Sequence, residues 1–452
     1  MIEVPPLAKE LGARFVDAGH ELYLVGGSVR DLMQGGPADS DWDFATSAHP
    51  TETTKVLRGW ADRKYLVGVK FGTVGALKDG HRIEITTFRK EVYAEQHRKP
   101  AVTFGDDITV DLSRRDFSIN AMAVQLPDGA FVDPYGGVKA LAAGVLDTPL
   151  DPETSFSDDP LRMIRAARFV AQLGVRPADR VVGAMRSMVD RLEIVSAERI
   201  RDELDKLLIA EDAPAGLELL VETGLADRFL PELPALRLEQ DPVHRHKDVL
   251  RHTYAVVARC EPDPVLRLAA LFHDVGKPAT RRITEEGVTF HHHEIEGARI
   301  ARARMTALRY PRSVIDDVCT LIELHLRFHG YGEGVGWSDA AVRRFVRDAG
   351  PLLDRLNQLT RADVTTRNER RAEAFAALQD ELEERIAALA EQENLEALRP
   401  QLDGRQVMEI LGLEPGPVVG EALGYLMELR LERGPIPEDE AIDLLRAWAA
   451  AR

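Results

Sequence analysis

Two short stretches decide the fold: residues 24–31 read LVGGSVRD, and residues 41–43 read DWD. The first predicts an apolar strand that runs into a glycine turn, and the second predicts a strand carrying two carboxylates at a spacing of two. Side chains alternate between the faces of a strand, so Asp41 and Asp43 are expected on the same side, close enough to share divalent cations.

The glycine turn and the basic residue after it suit a polyphosphate. Gly26 and Gly27 allow backbone N–H groups to approach phosphate oxygens, and Arg30 can neutralise their charge. A glycine pair alone is usually a turn, and an Asp-x-Asp pair alone is usually a solvated loop. Because the two occur within about twenty residues of each other, they predict a metal-dependent phosphoryl-transfer site.

Composition describes a globular chain of several units. The chain has 452 residues, 44% hydrophobic and 29% charged, which is too long for one ordinary core. No apolar run approaches the ~20 residues of a membrane span, and the first residues do not resemble a signal peptide. Only Cys260 and Cys319 occur, without metal-ligand spacing, which favours buried thiols in a reducing cytoplasm.

The net charge limits the kind of nucleic-acid binding to expect. With 58 basic and 75 acidic residues the chain carries −17. Phosphate attraction supplies most non-specific affinity for nucleic acid, so a protein that coats it non-specifically is disfavoured. A folded RNA gripped by local basic patches remains compatible with this charge.

Residues 21–125 alternate short strand-like runs with short helices, which predicts an α+β fold with a small sheet. We expect strands at 22–25, 41–45, 74–77, 83–87 and 121–126 and helices at 5–19, 28–34 and 50–60. Glu84, on a neighbouring strand, is expected either to be a third metal ligand, to polarise a 3′-hydroxyl nucleophile, or to be a plain surface carboxylate. The polar stretch 90–107 predicts a long basic loop.

A second cluster of polar residues follows at 114–121, which reads RRDFSINA. Arg114, Arg115, Asp116 and Asn120 offer partners for a triphosphate and a ribose hydroxyl. The competing interpretation is an exposed, ion-paired turn.

These motifs resemble the head of the bacterial class II tRNA nucleotidyltransferases and poly(A) polymerases, a branch of the polymerase-beta superfamily. GGSVRD, DWD, RRDFSINA and DPYGG at 133–137 stand in the family's order, with Ser118 where the family has Thr. The resemblance implies a polymerase-beta-like catalytic head over 1–140, with two Mg²⁺ ions on Asp41 and Asp43.

The next helix carries a candidate for choosing the base. Cytosine and adenine present an amino donor beside a ring-nitrogen acceptor, whereas uracil and guanine present a carbonyl there; a carboxylate with a guanidinium suits the first pattern. Asp159 and Arg162 offer these groups, although a capped helix with a solvated face would look similar. The family's acidic-Asp-x-x-Arg motif falls here, with Asp158 for the commoner Glu, and implies selection of CTP and ATP. Arg165 and Arg168 are expected to contact the triphosphate.

Histidines concentrate after residue 242, although the chain has only 13. Such a cluster, with His273 and Asp274 ending an apolar helix, predicts a divalent-metal site. It resembles an HD-type phosphohydrolase domain. That pattern implies one metal on His252, His273, Asp274 and Asp363 and a second on His293 and His325, with His292 as an alternative to His293 and Lys277 as a phosphate ligand. The metal's identity is left open.

The resemblance extends over nearly the whole chain and implies four domains: a head (1–140), an all-helical neck (141–235), an HD domain (236–385) and a helical tail that contacts tRNA (386–452). The leading hypothesis is template-independent addition of CMP and AMP from CTP and ATP to the 3′ end of tRNA, rebuilding CCA. Poly(A) polymerase and enzymes adding only CC or only A share these motifs. A phosphohydrolase with a vestigial head and a non-catalytic RNA-binding protein are further alternatives.

Overall fold

A computed structural model describes residues 3–35, 41–65, 72–92, 101–105, 107–238, 248–284, 287–331, 337–364, 368–393 and 399–451. The chain divides into two compact units, Met1–Phe229 and Leu230–Arg452. In the described ranges, every helix is too short or too polar to cross a lipid bilayer.

The first unit contains a mixed sheet and eleven described helices. Its strands are β1 Leu22–Val25, β2 Asp41–Thr46, β3 Arg63–Tyr65, β4 Thr73–Lys78, β5 His81–Thr87, β6 Arg89–Val92, β7 Ala101–Phe104, β8 Ala123–Leu126, β9 Phe131–Val132, β10 Val145–Leu146 and β11 Arg176–Pro177. Its helices are α1 Pro6–Asp17, α2 Gly27–Met33, α3 Pro50–Val56, α4 Ile108–Ser113, α5 Gly137–Ala142, α6 Pro152–Asp158, α7 Leu161–Leu173, α8 Asp179–Ser187, α9 Ala197–Leu208, α10 Ala213–Glu222 and α11 Ala226–Phe229.

The second unit is helical apart from one described hairpin, β12 Arg282–Thr284 with β13 Gly287–Thr289. Its helices are α12 Val249–Arg259, α13 Pro264–Phe272, α14 Lys277–Thr280, α15 His293–Ala307, α16 Arg312–Leu324, α17 Asp339–Ala349, α18 Leu353–Asp363, α19 Glu369–Glu393, α20 Gly404–Leu411, α21 Pro417–Arg433 and α22 Glu438–Ala450.

The main sheet has seven strands in the order β3-β4-β5-β2-β1-β8-β9. The pair β2–β5 is parallel, and the other neighbours are antiparallel. Trp42 and Phe44 of β2 are buried in the core beneath the sheet, with α1 residues such as Leu11 and Phe15. Because successive side chains of β2 point to opposite faces of the sheet, Asp41 and Asp43 are exposed on the face away from this core.

The α+β prediction is confirmed, with a remainder that is mostly helical and is interrupted by the short pairs β10–β11 and β12–β13. The five predicted strands are found within a few residues of their predicted ends. The helix predicted over 50–60 ends at Val56, because Gly59 takes the left-handed conformation at φ 75°. The predicted loop at 90–107 pairs its two ends as β6–β7, and its basic residues 97–100 lie outside the described residues.

One glycine fixes the turn that carries Asn120. Gly137 begins α5, and a Cβ atom there would lie 2.4 Å from the backbone oxygen of Ser118 and 2.6 Å from Met122. Ser118 begins the short 3₁₀ helix Ser118–Asn120, so its carbonyl cannot move without moving Asn120.

We therefore expect Gly137→Ala to destabilise the chain by about 1–3 kcal/mol, the usual cost of overpacking. Gly183→Ala is the matched control, because it lies inside α8 with open space at its Cβ position. It should be neutral or stabilise by up to about 1 kcal/mol through helix propensity. Calorimetric unfolding of both variants tests this, and a Gly137→Ala variant as stable as Gly183→Ala would contradict it.

Candidate functional site

Three carboxylates lie on one face of the sheet in the first unit. Asp43 on β2 lies in register with Glu84 on the parallel neighbour β5, and Asp41 precedes Asp43 by two residues on the same face. Desolvation and then repulsion from Asp43 raise the pKa of Glu84. Desolvation also raises the pKa of Asp43; Arg115 opposes this shift and Asp41 adds to it. Such mutual repulsion is what a bound cation relieves, so the residues fit a divalent metal.

The three carboxylates are not equivalent as ligands. Their oxygens do not all approach within the mutual 4.8 Å that the ligand groups of the second unit satisfy. Asp41 and Asp43 share one strand, whereas Glu84 stands on the next strand. The structure thus places the predicted third carboxylate beside the pair without closing a three-residue cage.

The glycine turn lies directly against these carboxylates. Gly26 has φ 74°, and a Cβ atom there would lie 2.9 Å from a terminal nitrogen of Arg115 and 4.0 Å from Oδ2 of Asp43. Glycine is therefore needed for the conformation, and a side chain there would displace the end of Arg115. The hydroxyl of Ser28 accepts a hydrogen bond from the backbone N–H of Asp43 at 3.4 Å, which ties the turn to β2.

Both arginines of the RRD motif are held by a residue that sequence reasoning missed. Asp111 is only 1% exposed, and it accepts hydrogen bonds from Arg114 at 3.0 Å and Arg115 at 3.4 Å. Burial opposes ionisation, but Arg115 and then Arg114 outweigh it and lower the pKa of Asp111. The signal was present in the sequence, because an acid three and four residues before two bases forms ion pairs on a helix.

Asp116 is the centre of a buried polar network. Its carboxylate accepts hydrogen bonds from the side chain of Asn120 at 3.1 Å and from Arg165 at 2.5 and 3.0 Å. Asn120 in turn accepts one from Arg30 at 2.7 Å. Despite the opposing effect of burial, Arg165 and these hydrogen bonds lower the pKa of Asp116 to about 2. Four predicted nucleotide-binding residues are thus bonded to one another.

A third buried acid, Glu203 of α9, pairs with two arginines of α7. It is 4% exposed and lies 3.4 Å from Arg165 and 2.8 Å from Arg168. Arg168 also lies over the ring of Phe169, 4.3 Å from its centroid. Glu203 was not singled out from the sequence, although an acid on the buried stripe of an amphipathic helix is itself a signal of a buried partner.

The predicted base-reading residues each have a separate support. Asp159 pairs with Arg199 of α9 at 2.7 Å. Arg162 donates to the hydroxyl of Ser155 at 2.8 Å and to the backbone carbonyl of Arg114 at 2.5 Å. Sequence reasoning assigned no site role to Arg199; the structure places its side chain in the wall of a cleft that Asp159 and Arg162 also line.

Two neighbouring clefts, of about 380 and 270 Å³, share four of their lining residues. Both are lined by Asp43, Arg115, Asp116 and Arg165. The larger one reaches Asp159 and Arg162, and the smaller one reaches the glycine turn and Arg168. These are volumes of about ligand-binding size, so Asp43, the arginines and the predicted base-reading pair border one continuous candidate site.

The second unit gathers all six predicted HD ligands in two groups. His252, His273 and Asp363 form one group, and Asp274, His293 and His325 form the other; within each group the ligand atoms lie within 4.8 Å of one another. His293, 7% exposed, belongs to the site, whereas the side chain of His292 is 86% exposed. This arrangement favours His293 over the alternative register.

Asp274 lies between the two groups. One of its oxygens is 3.2 Å from Nε2 of His273 and 3.5 Å from that of His252, and the other is 3.4 Å from Nε2 of His293. Burial opposes protonation of His273, but Asp274 and Asp363 raise its pKa to about 10. Lys277, predicted as a phosphate ligand, pairs with Asp274 at 2.7 Å.

The histidine tautomers suit metal binding. Nδ1 of His273, His293 and His325 lies 2.8, 2.8 and 2.6 Å from the backbone carbonyls of Ala270, Phe290 and Ile322. A proton on Nδ1 leaves Nε2 directed into the cluster, where its lone pair would bind a metal that displaces any proton on Nε2. Among the described residues, the buried Nε2 atoms of His293 and His325 have no hydrogen-bond partner. The donor set therefore fits divalent metals.

Three family profiles match the chain in order. The poly A polymerase head domain matches residues 22–147, the probable RNA and SrmB-binding site of polymerase A matches 174–236, and the HD domain matches 250–368. A nucleotidyltransferase head and an HD domain imply the use of divalent metals, in line with the candidate groups above.

Individual proteins extend this similarity. The A-adding tRNA nucleotidyltransferase of Deinococcus radiodurans is 34% identical over 94% of this chain and 95% of its own length. The CCA-adding enzyme of Anoxybacillus flavithermus is 42% identical over 49% of this chain; the match spans 54% of that protein, about half its length. A crystal structure of the Bacillus stearothermophilus CCA-adding enzyme in complex with CTP, 25% identical, superposes with a TM-score of 0.71 and covers 100% of this chain and 99% of that one. The chain belongs to the tRNA nucleotidyltransferase and poly(A) polymerase family.

Proposed function

We propose that the chain adds CMP and AMP, taken from CTP and ATP, to the 3′ end of tRNA without a template and so builds or repairs CCA. The observation that carries this proposal is the continuous cleft that borders Asp43, an arginine network and the Asp159–Arg162 edge, with Asp41 two residues before Asp43 on the same strand. The matches to CCA-adding enzymes, one of them crystallised with CTP, support it. A cytoplasmic location, where tRNA and nucleoside triphosphates meet, belongs to the same proposal.

The proposed reaction is an in-line displacement. The tRNA 3′-oxygen forms a bond to the α-phosphorus, the bond from that phosphorus to the bridging oxygen breaks, and pyrophosphate leaves. Mg²⁺ ions held by Asp41 and Asp43 would supply the charge that favours both the attacking and the leaving oxygen. Glu84, in register with Asp43 and with a raised pKa, would take the proton of the 3′-hydroxyl.

The remaining residues bind and orient the nucleotide. Arg114 and Arg115, fixed by Asp111, would bind the triphosphate through their guanidinium groups, and Gly26 would let the backbone approach it. Arg165 and Arg168 are already paired with acids. We therefore assign them to forming the wall of the cleft beside the phosphates, and not to neutralising the phosphate charge. Asp159 and Arg162 read the pairing edge of the base.

A-only addition is the second candidate. It is favoured by one observation: the relative that matches over 95% of its own length is an A-adding enzyme. The same residues would then serve ATP alone.

Transcripts of tRNA that end before the first C, before the second C and before A separate these candidates. With each NTP offered in turn, we expect CTP to extend the first two and ATP the third, with addition stopping after A. Extension of the third transcript only would replace CCA addition by A addition. Failure to extend any transcript, or long tails made from ATP alone, would contradict both.

In the same assay, Asp43→Asn should lower the rate at least about a hundredfold, because it removes a metal-binding charge. The matched control is Asp128→Asn, on the exposed turn between β8 and β9, which should react like the unmodified enzyme. Equal rates for the two variants would remove Asp43 from the mechanism.

We also propose that the second unit is a metal-dependent phosphohydrolase. The supporting observation is the two ligand groups beside Asp274, with the Nε2 atoms of His293 and His325 directed inward. The metals would polarise a phosphoryl oxygen and supply a water-derived nucleophile, while Lys277 would approach a phosphate once Asp274 binds metal.

His273→Ala should lower the bound metal, measured by elemental analysis after loading with Mn²⁺ or Ni²⁺, and should abolish hydrolysis of p-nitrophenyl phosphates. Nucleotide addition should be retained, because the two sites lie in different units. His292→Ala, on an exposed histidine next to the site, should retain both properties. Unchanged metal content in His273→Ala would contradict the proposed ligand set.

A further inference from the structure

The carboxylate assigned to base reading is held by a neighbour from another helix. Asp159 follows α6 in an extended conformation, φ −143° and ψ 99°, so its side chain lies between α6 and α7. One oxygen accepts a hydrogen bond from the backbone N–H of Leu161 at 3.2 Å, and the other accepts one from Arg199 of α9 at 2.7 Å. The side chain of Asp159 is 28% exposed and that of Arg199 is 52% exposed, and both line the larger cleft.

The other half of the base-reading pair is held independently. Both terminal nitrogens of Arg162 are engaged, one by Ser155 and one by the carbonyl of Arg114. Consequently, Arg162 does not depend on α9, whereas the orientation of Asp159 does. We take the choice of base to depend on a fixed spacing between the Asp159 carboxylate and the Arg162 guanidinium. The orientation of Asp159 is the less constrained of the two, because a carboxylate rotates about its last bond and this one has a single hydrogen bond to the backbone.

We propose that Arg199 is a positioning residue that sets the choice of base by fixing the carboxylate of Asp159. This inference rests on the proposed function and adds a specificity-determining residue to it. A carboxylate has about four lone-pair positions. With one taken by Leu161 and one by Arg199, a lone pair at a fixed place accepts the exocyclic amino group of cytosine or adenine.

The same ion pair acts against the wrong bases. Uracil and guanine would bring a carbonyl oxygen against the carboxylate, which leaves both acceptors unpaired. A free Arg199 could donate to that carbonyl, but its pairing with Asp159 commits the guanidinium to the carboxylate. Without Arg199 the carboxylate of Asp159 could turn away from the base. The carbonyl of uracil or guanine would then be repelled less, and the amino group of cytosine or adenine would be bound less tightly.

Equilibrium binding of labelled CTP and UTP to the whole chain, without tRNA, tests this directly. In Arg199→Gln, we expect the preference for CTP over UTP to fall about tenfold or more, the size of effect of a charge-assisted hydrogen bond. Arg199→Lys should restore part of the preference, because it retains the charge but not the planar donor geometry. Arg201→Gln is the matched control: it lies on the same helix, is paired with Asp202, and should leave the preference unchanged.

A double-mutant cycle separates positioning from general stability. If Arg199 acts through Asp159, then Arg199→Gln should change nothing further in an Asp159→Ala background. The inference would be overturned if Arg199→Gln left the CTP preference unchanged or if Arg201→Gln lost as much of it. It would also be overturned if Arg199→Gln caused a further loss in the Asp159→Ala background, or if the unmodified chain showed no preference for CTP over UTP. A chain that prefers CTP but extends no tRNA would overturn the proposed function and leave the role of Arg199 standing.

Discussion

The buried ion pair between Asp116 and Arg165 is the interaction on which the candidate site depends. A carboxylate that is 9% exposed is stable only when it is paired and hydrogen-bonded, and Arg165, 49 positions later in the chain, supplies most of that compensation. Through Asn120 the same carboxylate reaches Arg30, which is 90 positions from Asn120 and follows the glycine turn. One buried charge therefore joins the glycine turn, the RRD segment and α7.

The electrostatics of the cleft follow from this arrangement. The chain as a whole carries −17, yet the cleft walls are rich in arginine. Asp111 holds Arg114 and Arg115, and Glu203 holds Arg168. Because these arginines are already fixed by their acidic partners, little reorganisation is needed when a polyphosphate binds. Preorganised charges of this kind stabilise a charged transition state better than a flexible basic surface does. The local charge pattern, rather than the net charge, decides what this protein can bind.

The sequence predicted which residues carry the chemistry better than it predicted which side chains pair with one another. Asp41, Asp43 and the glycine turn could be placed because strand alternation and glycine conformation are local rules. The six histidine and aspartate ligands came from a family pattern, and the structure gathers all of them. Glu203 and Arg199 were missed because each pairs with a residue of another element, and no local period reports such contacts. Asp111 was missed although its spacing of three and four residues from Arg114 and Arg115 is a local signal. Arg165 and Arg168 were predicted to contact the triphosphate, but their pairing with Asp116 and Glu203 was not predicted, because these acids are distant in the sequence.

The central claim is that one cleft holds metal on the DWD strand and reads the base with Asp159 and Arg162. A crystal structure of the chain with CTP and Mn²⁺, with the metal located by anomalous scattering, tests it most directly. The account predicts anomalous density at Asp41 and Asp43, with the triphosphate against the arginines and the cytosine amino group within hydrogen-bond distance of Asp159. Manganese confined to the histidine site, or a cytosine whose pairing edge faces away from Asp159 and Arg162, would contradict it.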